Sequence, residues 1–490
     1  DEQDYLFLIF PCGEGTFGRV RRRGGKMLKY SGANFLRQRL ILSTISGRAL
    51  KISDIRLDDE DPGLRPFEAS LLRLLDKVTD NAHIQIDETG TSLYYRPGVI
   101  IGGEDLAHDC GTSRCVTYFL EALLCVCLFG KNPLKITLKG LTNDNKDPSV
   151  DTFRTVTLPT LRHFGVSDGL SLAIKKRGCV PDGGGEVFFT CPIVKKIEPF
   201  QLVKEGRTKR VRGVAYTTRL SQQFGVQVVD KARELLNDFL PDVWVYTDHC
   251  KGDRTGNSPG YGLSLVSETI QGHAKGAGAS FDESFQKLIG RATGGGTKKE
   301  LSYSSASASG GQLRNLLEEK GLIEDGGEEE DQDEEMGEGE DEGTPKLSDF
   351  SEPQILGRVV ASRLLWEIQQ GGVVDSQHQH LAMLFMALAD EHAACKIKLG
   401  RLSLAAVQFL RHLKDFLGVS FALENAELED EEGKGQENGK KAEEEGDEDA
   451  ESEEEEDEEE MKQKAAPPPP PGVLLSCVGI GLRNVARKSF

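Results

Sequence analysis

The chain has 490 residues, of which 38% are hydrophobic and 29% are charged, and its formal net charge is −20. A chain of this length exceeds one ordinary domain and predicts two to four folded units. It contains no run of 18 apolar residues, which excludes a polytopic protein built from membrane-spanning helices.

The negative net charge comes from two acidic runs, and the rest of the chain is basic. Residues 324–342 contain 13 acids and no bases, and residues 424–464 contain 22 acids and 5 bases. These two runs carry −30 together, so the rest of the chain carries +10. Long runs of like charge repel themselves and bury nothing, so we expect both to be disordered. A basic body favours a polyanionic partner such as RNA, although an ordinary solvated surface gives the same excess.

Helix and strand patterns alternate along the remaining chain. Residues 1–26 are expected to form an appendage, with Met27 as a candidate start. Apolar residues at helical spacing precede a strand pattern four times, at 67–78 and 83–87, 120–128 and 134–140, 152–165 and 170–178, and 406–417 and 419–424. Repeated helix-plus-strand units predict an α/β (α+β) layered fold.

Ten cysteines are spread over the chain, and some lie inside apolar helical runs, such as Cys125 and Cys127. This pattern is typical of buried, reduced thiols in a cytosolic or nuclear protein.

Two motifs match enzyme or metal sites only in part. Residues 13–20, GEGTFGRV, match the glycine-rich loop of kinases, but the catalytic and metal-binding kinase motifs are missing downstream. His378, His380, His392 and Cys395 lack the paired spacing of zinc ligands. We therefore predict no kinase site, no metal and no cofactor.

Two polar segments could contact phosphate. Gly183, Gly184 and Gly185 allow a backbone to approach a ligand closely, and they also make a plain turn. On the helix predicted over 406–417, His412 could act as a general base beside Arg411 and Lys414. Positions two apart on a helix diverge by about 200°, however, which favours a basic RNA-facing or solvent-facing helix.

Long motifs point to a known family. SGANFLRQRLILSTISGRALKISDIRLDDEDPGLRPFEASLLRLL at 31–75, RGCVPDGGGEV at 177–187 and GGVVDSQHQHLAMLFMALA at 371–389 resemble RNA 3′-terminal phosphate cyclases. LYYRPGVIIGG at 93–103, TNDNKDPSVD at 142–151 and YTDHCKGDRTGNSPGYGLSLVSET at 246–269 resemble the branch of that family that acts in eukaryotic ribosome biogenesis. The resemblance covers residues 27–274, 352–424 and 472–490.

The resemblance implies repeated units of two helices on a four-stranded sheet, with a smaller α+β domain inserted before the last unit. The expected organisation is an appendage at 1–26, repeat units at 27–191, the inserted domain at 192–275, an acidic disordered insertion at 276–350, the last repeat unit at 351–424, an acidic and polyproline disordered insertion at 425–471, and the C-terminal strand of the last unit at 472–490.

The resemblance also implies that cyclase chemistry is lost. The family's cyclases use a histidine that becomes adenylated by ATP, and Arg401 stands in the matching segment. A guanidinium stays protonated and cannot attack phosphorus. Family residues are also replaced near Asp59 and near Phe67. The remnant of the anion-binding or RNA-binding pocket is predicted to comprise Arg37, Arg56, Arg401, Asp375, Gly183, Gly184 and Gly185.

The function implied by the resemblance is a non-cyclase scaffold of the small-subunit processome in the nucleolus, required for processing toward 18S rRNA. Its implied partners are a ribosome-assembly GTPase and pre-rRNA, with no membrane. A basic stretch on the inserted domain is the predicted RNA or partner surface, with an ordinary exposed strand as the alternative; it contains Lys204, Arg207, Lys209, Arg210 and Arg212.

Two enzymatic alternatives remain open. The first is a pre-rRNA endonuclease that uses Arg411, His412 and Lys414, because RNA cleavage needs only a positioned histidine and cations that stabilise the phosphate. The second is a retained ATP-dependent RNA 3′-phosphate cyclase that uses another histidine.

Overall fold

A computed structural model describes residues 27–166, 168–292, 350–425 and 472–484. Within these ranges the chain forms four four-stranded sheets and one two-stranded pair. Each four-stranded sheet contains one parallel pair at an edge, followed by two antiparallel pairings. The mixture of helices and strands confirms the predicted α/β class. None of the described helices is long and apolar enough to cross a membrane. The predicted appendage at 1–26 lies outside the described residues.

The first repeat unit has the order strand, helix, strand, helix, strand, strand, with a short two-stranded pair (β3 and β6) beside it. Its elements are β1 (Leu28–Ser31), α1 (Leu36–Ser46), β2 (Leu50–Ser53), α2 (Pro66–Val78), β3 (Thr79–Asp80), β4 (His83–Ile86), β5 (Leu93–Arg96) and β6 (Val99–Ile100). Helix α2 begins with a proline in its first turn and a capping box, because Glu68 accepts the Arg65 N–H at 2.8 Å.

The second repeat unit has the same order, with its second helical layer made of three consecutive segments. Its elements are β7 (Gly103–Asp109), α3 (Val116–Cys127), β8 (Leu134–Gly140), α4 (Val150–Thr152), a π-helical turn (Phe153–Thr157), α5 (Leu158–His163), β9 (Ser171–Lys176) and β10 (Gly185–Cys191). The π-helical turn directly precedes the segment that holds Pro159, which has no N–H to donate to the helix.

The third repeat unit is interrupted after its first strand, β11 (Gln201–Leu202), which still pairs with a strand near residue 396. The interrupting elements are β12 (Thr208–Thr218), α6 (Gln222–Asn237), β13 (Val243–Cys250), a 3-10 turn (Gly252–Arg254), β14 (Gly260–Thr269), β15 (Ala274–Ser280), α7 (Glu283–Ala292) and α8 (Glu352–Gln369). The four strands β12 to β15 form the fourth sheet, in the order β13-β12-β14-β15.

The third repeat unit then resumes. Its remaining elements are α9 (Gln379–Leu388), β16 (Ala394–Leu399), α10 (Leu404–Leu417), β17 (Ala422–Asn425) and β18 (Val473–Val478). The Ser403 hydroxyl caps α10 by accepting the Ala406 N–H, and Gly418 ends the helix at φ 75°. Strand order β11-β16-β18-β17 repeats the order found in the first two units.

Two apolar cores hold these units. One runs continuously beneath all three repeat units, and its fully buried members include Leu40, Phe119 and Phe385. The other lies between one face of the fourth sheet and helices α6 and α8, and includes Leu265 and Leu356. Helix α8 therefore packs on the fourth sheet although it follows the long segment 293–349 in sequence.

The periodicity predictions agree with the elements. The helices predicted over 67–78, 120–128 and 406–417 are confirmed, as are the strands at 83–87 and 134–140. The strand predicted over 419–424 begins later, at Ala422, because Gly418 still belongs to the end of α10.

The disorder predicted from residue 276 is wrong for residues 276–292, which form most of β15 and all of α7. Apart from Lys275, strand β15 consists of glycine, alanine and serine, which carry no β-branched signal. The tight packing requires them, because a Cβ on Gly276 would lie 2.7 Å from Val156. The acidic residues of both predicted insertions lie almost entirely outside the described residues.

The sheets also suggest revised unit boundaries. Strand β11 at 201–202 pairs within the third repeat sheet, whereas α8 packs on the fourth sheet. We propose that the inserted domain comprises about 203–292 together with 350–370, and that the last repeat unit comprises 192–202, 371–425 and 472–484.

The nine cysteines in the described ranges are all free and buried. Burial raises the pKa of the Cys127 thiol to about 12, and that of Cys477 to about 12 as well. Thiols in this state behave as small apolar side chains and not as nucleophiles.

Candidate functional site

Helices of the first two repeat units converge on Tyr118, a buried residue at the start of α3. The guanidinium carbon of Arg37 on α1 lies 4.5 Å from the centroid of its ring, and that of Arg114 lies 4.8 Å away. Phe67 of α2 meets the same ring edge-on at 5.3 Å. Two cations and an aromatic ring therefore enclose Tyr118, in the geometry of cation–π contacts.

Glu121, one turn further along α3, neutralises the first of these cations. Its carboxylate lies 2.8 Å from Arg37 Nη2 and 2.8 Å from His380 Nε2 on α9. Burial by itself would raise the pKa of this carboxyl, but Arg37 and then His380 outweigh burial and lower the pKa to about 2. Glu121 is therefore ionised and holds Arg37 in place.

Asp147 neutralises the second cation. Its two carboxylate oxygens accept hydrogen bonds from Arg114 Nε and Nη2 at 2.6 and 2.7 Å. Asp144 lies beside this pair and accepts the backbone N–H groups of Cys115 and Asp147. Burial, together with the Asp147 charge, raises the pKa of Asp144 to about 6. The TNDNKD motif at 142–147 thus supplies carboxylates to an internal network.

Arg56 is held in the same manner by a third carboxylate. Its Nη1 and Nη2 each donate to Glu68 at 2.7 Å, and Nη1 also donates to the Gly63 carbonyl at 3.1 Å. The hydrogen bond to Glu68 is the main reason that the pKa of Arg56 is raised. Glu68 also caps α2, so this pair fixes the loop before that helix.

Each arginine of this cluster therefore has a carboxylate of the same chain where a phosphate ligand would otherwise bind. The pairs are Arg37 with Glu121, Arg114 with Asp147, and Arg56 with Glu68. A phosphate entering the cluster would have to displace these carboxylates and leave buried negative charges unpaired, which is costly. The arrangement is suited to joining helices and is poorly suited to binding a nucleotide.

Asp375 does not join these arginines. One carboxylate oxygen accepts the Gly276 N–H of β15 at 2.9 Å, and the other accepts the His378 N–H and contacts His378 Nδ1. The second ring nitrogen of His378 lies 2.7 Å from the Thr157 hydroxyl. This buried set connects the third repeat unit to the fourth sheet and the π-helical turn.

Arg401 is exposed just before α10. Its backbone is fixed by Gln379, whose Nε2 donates to the Arg401 carbonyl at 2.9 Å and whose Oε1 accepts the Ser403 N–H. Gln379 is followed by His380, which binds the Glu121 carboxylate that holds Arg37, so the Arg401 backbone is linked through α9 to the Arg37–Glu121 pair.

The three glycines pack against another loop of the protein. Gly183 and Gly184 have φ values of 60° and 75°, which favour glycine, and a Cβ on Gly184 would lie 2.8 Å from the Asn257 side chain. The Gly183 carbonyl accepts the Asn257 N–H. Gly185 begins β10, where the Gly140 carbonyl lies close to its backbone.

The predicted basic surface is partly neutralised. Arg210 pairs with Glu268 at 2.6 Å and Arg212 pairs with Asp242 at 2.8 Å. Lys204, Arg207 and Lys209 are exposed. The stretch is therefore less positive than its sequence suggests, because Glu268 of β14 and Asp242, just before β13, neutralise two of its cations.

The endonuclease candidates do not form a set. His412 is fully buried between Tyr30 and Phe35, and its Nε2 accepts from Arg39 Nε at 3.4 Å. Burial and then the Arg39 charge lower the pKa of His412 to about 4. Arg411 and Lys414 are exposed on α10. His412 therefore belongs to the contact between α1 and α10 and is not accessible to RNA.

The histidine and cysteine residues considered as zinc ligands are separated in the described ranges. His378 and His380 bind Asp375 and Glu121, whereas Cys395 is buried in β16. His392 lies near Glu198 and Asp390, the one potential metal-ligand group found among the described residues. The Lys196 ammonium forms an ion pair with Asp390 at 2.9 Å, so a cation of this chain already neutralises that carboxylate.

Sequence reasoning named Arg37 and Arg56 but not Arg114, Glu121 and Asp147, which contact the same cluster. One signal was present, because Glu121 is the single charged residue of the otherwise apolar helix VTYFLEALLCVC. An acid in such a helix requires a buried cation or a hydrogen-bond donor. Sequence could not show which cation supplies it.

Comparison with known proteins places this geometry in context. The family model described as RNA 3′-terminal phosphate cyclase matches residues 28–423. The RNA 3′-terminal phosphate cyclase-like protein of Bos taurus is 45% identical over 399 residues, 81% of this chain and 90% of that protein. A probable cyclase-like protein of Dictyostelium discoideum is 39% identical over 95% of this chain and 100% of that protein. The rRNA processing protein rcl1 of Schizosaccharomyces pombe is 47% identical over 51% of this chain and 69% of that protein.

The Glu121 pair yields a stability prediction. Replacement Glu121→Ala removes the short ion pair of the mostly buried Arg37 and leaves it only Asp147, 3.9 Å away, so we expect the free energy of unfolding to fall by about 3 kcal/mol. Glu104→Ala removes an exposed pair with Lys135 and should cost less than about 1 kcal/mol. Urea titration measures both variants. A Glu121→Ala variant as stable as Glu104→Ala would contradict the structural role.

Buried His412 yields a pH prediction. Its pKa is about 4 in the folded chain and about 6.5 when unfolded, so the unfolded state binds more protons between these values. The free energy of unfolding should therefore fall as the pH drops from 6.5 to 4, and protonation of His412 in the unfolded state should account for roughly 3 kcal/mol of this decrease. For His412→Gln, urea titrations should show the free energy of unfolding falling less steeply with decreasing pH than in wild type. Its value at pH 7.5 serves as the reference for each chain. An unchanged slope would show that His412 is not buried as a neutral ring.

Proposed function

The chain belongs to the RNA 3′-terminal phosphate cyclase family, and within that family we propose that it is a non-cyclase scaffold for rRNA processing. Its place would be the small-subunit processome in the nucleolus, on the path to 18S rRNA. Its partners would be pre-rRNA and a ribosome-assembly GTPase. The similarity to an rRNA processing protein of Schizosaccharomyces pombe supports the processing role.

One observation carries the non-cyclase part of this proposal. The arginines that the family resemblance assigns to anion binding, Arg37 and Arg56, are each held by a carboxylate of this chain. Arg114, between them, is held by a third carboxylate. A nucleoside triphosphate would therefore encounter arginines that carboxylates already neutralise. The family's nucleophilic histidine is matched by Arg401, which stays protonated.

The same ion pairs suit a scaffold. The pKa of Glu121, lowered to about 2, keeps the Arg37–Glu121 pair charged at neutral pH. The Arg37–Glu121 pair joins helices of the first two repeat units, and the other two pairs each fix a loop within one unit. A rigid body of this kind presents fixed surfaces to RNA and protein partners.

Transfer of labelled AMP from ATP tests the loss of cyclase chemistry. We expect no labelled band from the wild-type chain, and none from Arg401→His, because restoring the histidine leaves Arg37 and Arg114 bound to Glu121 and Asp147. An active cyclase of the family serves as the positive control. A labelled band from either chain would show that the carboxylates do not block the nucleotide and would overturn the non-cyclase proposal.

In-cell crosslinking of the tagged full-length chain tests the processing role. We expect recovery of pre-rRNA sequences flanking the small-subunit rRNA, together with a GTPase among the co-purified proteins. The tag expressed alone sets the background. Recovery of scattered RNA 3′ ends without ribosome-assembly proteins would instead indicate end-processing chemistry and contradict the proposal.

A further inference from the structure

Strand β13 lies at the edge of the fourth sheet and carries two exposed aromatic residues on one face. The side chains of Trp244 and Tyr246 are 65% and 49% exposed. They alternate with Val243 and Val245, which belong to the core beneath the sheet. Residues two apart on a strand point the same way and are about 6.6 Å apart along it. The two rings therefore stand side by side on the outer face.

A polar cleft of about 240 Å³ adjoins this aromatic pair. Tyr246 is part of its lining, so the aromatic face and the cleft are continuous. The other lining residues come from the π-helical turn, β9 and the residue that follows it, β13 and the 3-10 turn. They are Arg154, Ile174, Lys175, Arg177, Asp248, Cys250 and Arg254.

Cations outnumber acids among the ion pairs at this cleft. Buried Arg177 bridges Asp151 at 2.6 Å and Asp248 at 2.9 Å. Two further guanidiniums share the same two carboxylates, Arg154 at 3.4 Å from Asp151 and Arg254 at 2.9 Å from Asp248. Three guanidiniums thus share two carboxylates, which leaves excess positive charge.

The cations at the rim can reach a ligand. The side chains of Arg254 and Arg154 are 62% and 38% exposed, and Lys175 is half-exposed beside Glu186. Arg177 lies beneath them at 3% exposure and fixes the floor of the cleft. Surface arginines on a rigid, buried ion-pair floor are suited to binding phosphate groups in a fixed place.

We propose that this face, formed by Trp244, Tyr246, Arg154, Lys175 and Arg254, binds single-stranded RNA. Two neighbouring bases would stack on the two aromatic rings, and the adjoining phosphates would lie over the cleft. This inference deepens the proposed function and rests on its RNA-binding part. It assigns that binding to β13 and not to the basic stretch at 202–213.

RNA fits the face better than a protein segment does. A peptide that adds to an edge strand uses the backbone groups of that edge, and would leave the outward rings and the cleft uncovered. Neighbouring aromatic and arginine side chains on an outer sheet face instead match the stacking and phosphate contacts of an unpaired nucleic acid.

The test measures binding of a fluorescent 15-nucleotide oligouridylate to the full-length chain by anisotropy at several salt concentrations. We expect Trp244→Ala and Tyr246→Ala each to weaken binding about tenfold, because each loses one stacked base. The double variant Arg154→Gln/Arg254→Gln should reduce the slope of log affinity against log salt by about 0.7 per arginine.

Two control variants should bind as wild type does. They are Leu404→Ala, which changes an exposed apolar residue on α10, and Lys51→Gln, which removes an exposed cation on β2.

The outcomes separate this inference from the proposed function. If wild type and all variants bind the RNA equally, RNA binding stands but this surface is overturned. If wild type binds no RNA, both this surface and the RNA-binding part of the proposed function are overturned. Thermal melting of each variant checks that folding is retained. A variant that melts early is replaced by Trp244→Gln or Tyr246→Gln, for which the same loss of RNA affinity is expected.

Discussion

The carboxylate of Glu121 is the contact on which the arrangement of the repeat units depends. It lies on α3 of the second unit, binds Arg37 on α1 of the first unit, and binds His380 on α9 of the third. A single ionised group thus connects all three sheets of the continuous core. Its low pKa means that this connection persists through the whole physiological pH range. A charge in this position is tolerated only because both partners are present, since an unpaired buried carboxylate would be strongly destabilising.

The same contact supports the proposal that this catalytic family fold serves here as a scaffold. Arginines that suit a phosphate ligand suit a carboxylate equally well, because both present oxygens to a planar guanidinium. Glu121, Asp147 and Glu68 supply carboxylate oxygens to the three arginines, in place of the oxygens of a phosphate ligand. Retention of an arginine is therefore weak evidence for retention of its former ligand.

The fold was largely predictable from local sequence, whereas the site was predictable only in part. Helical spacing over 67–78 or 120–128 and alternation over 134–140 are properties of short segments, and the corresponding elements α2, α3 and β8 are present. Strand β15, AKGAGAS, was missed because its small residues are dictated by the neighbouring Val156 and not by local propensity. Arg37 could be identified, but its partner is 84 positions away and its identity depends on how two units pack. Burial of His412 likewise depends on α1 packing against α10, which no local pattern specifies.

The interrupted third repeat unit has a consequence for how the chain acquires its structure. Strand β11, at residues 201–202, pairs with β16, and β16 pairs with β18 at 473–478. The first two sheets can form as soon as their own residues have left the ribosome, but the third must wait for β18, which lies more than 250 residues after β11. Non-local pairings of this kind slow folding and leave strand edges unpaired for longer. During synthesis the apolar faces of α9 and β16 therefore have to be kept from other chains until β18 arrives, and the acidic runs that precede β18 add like charge that opposes association at that stage.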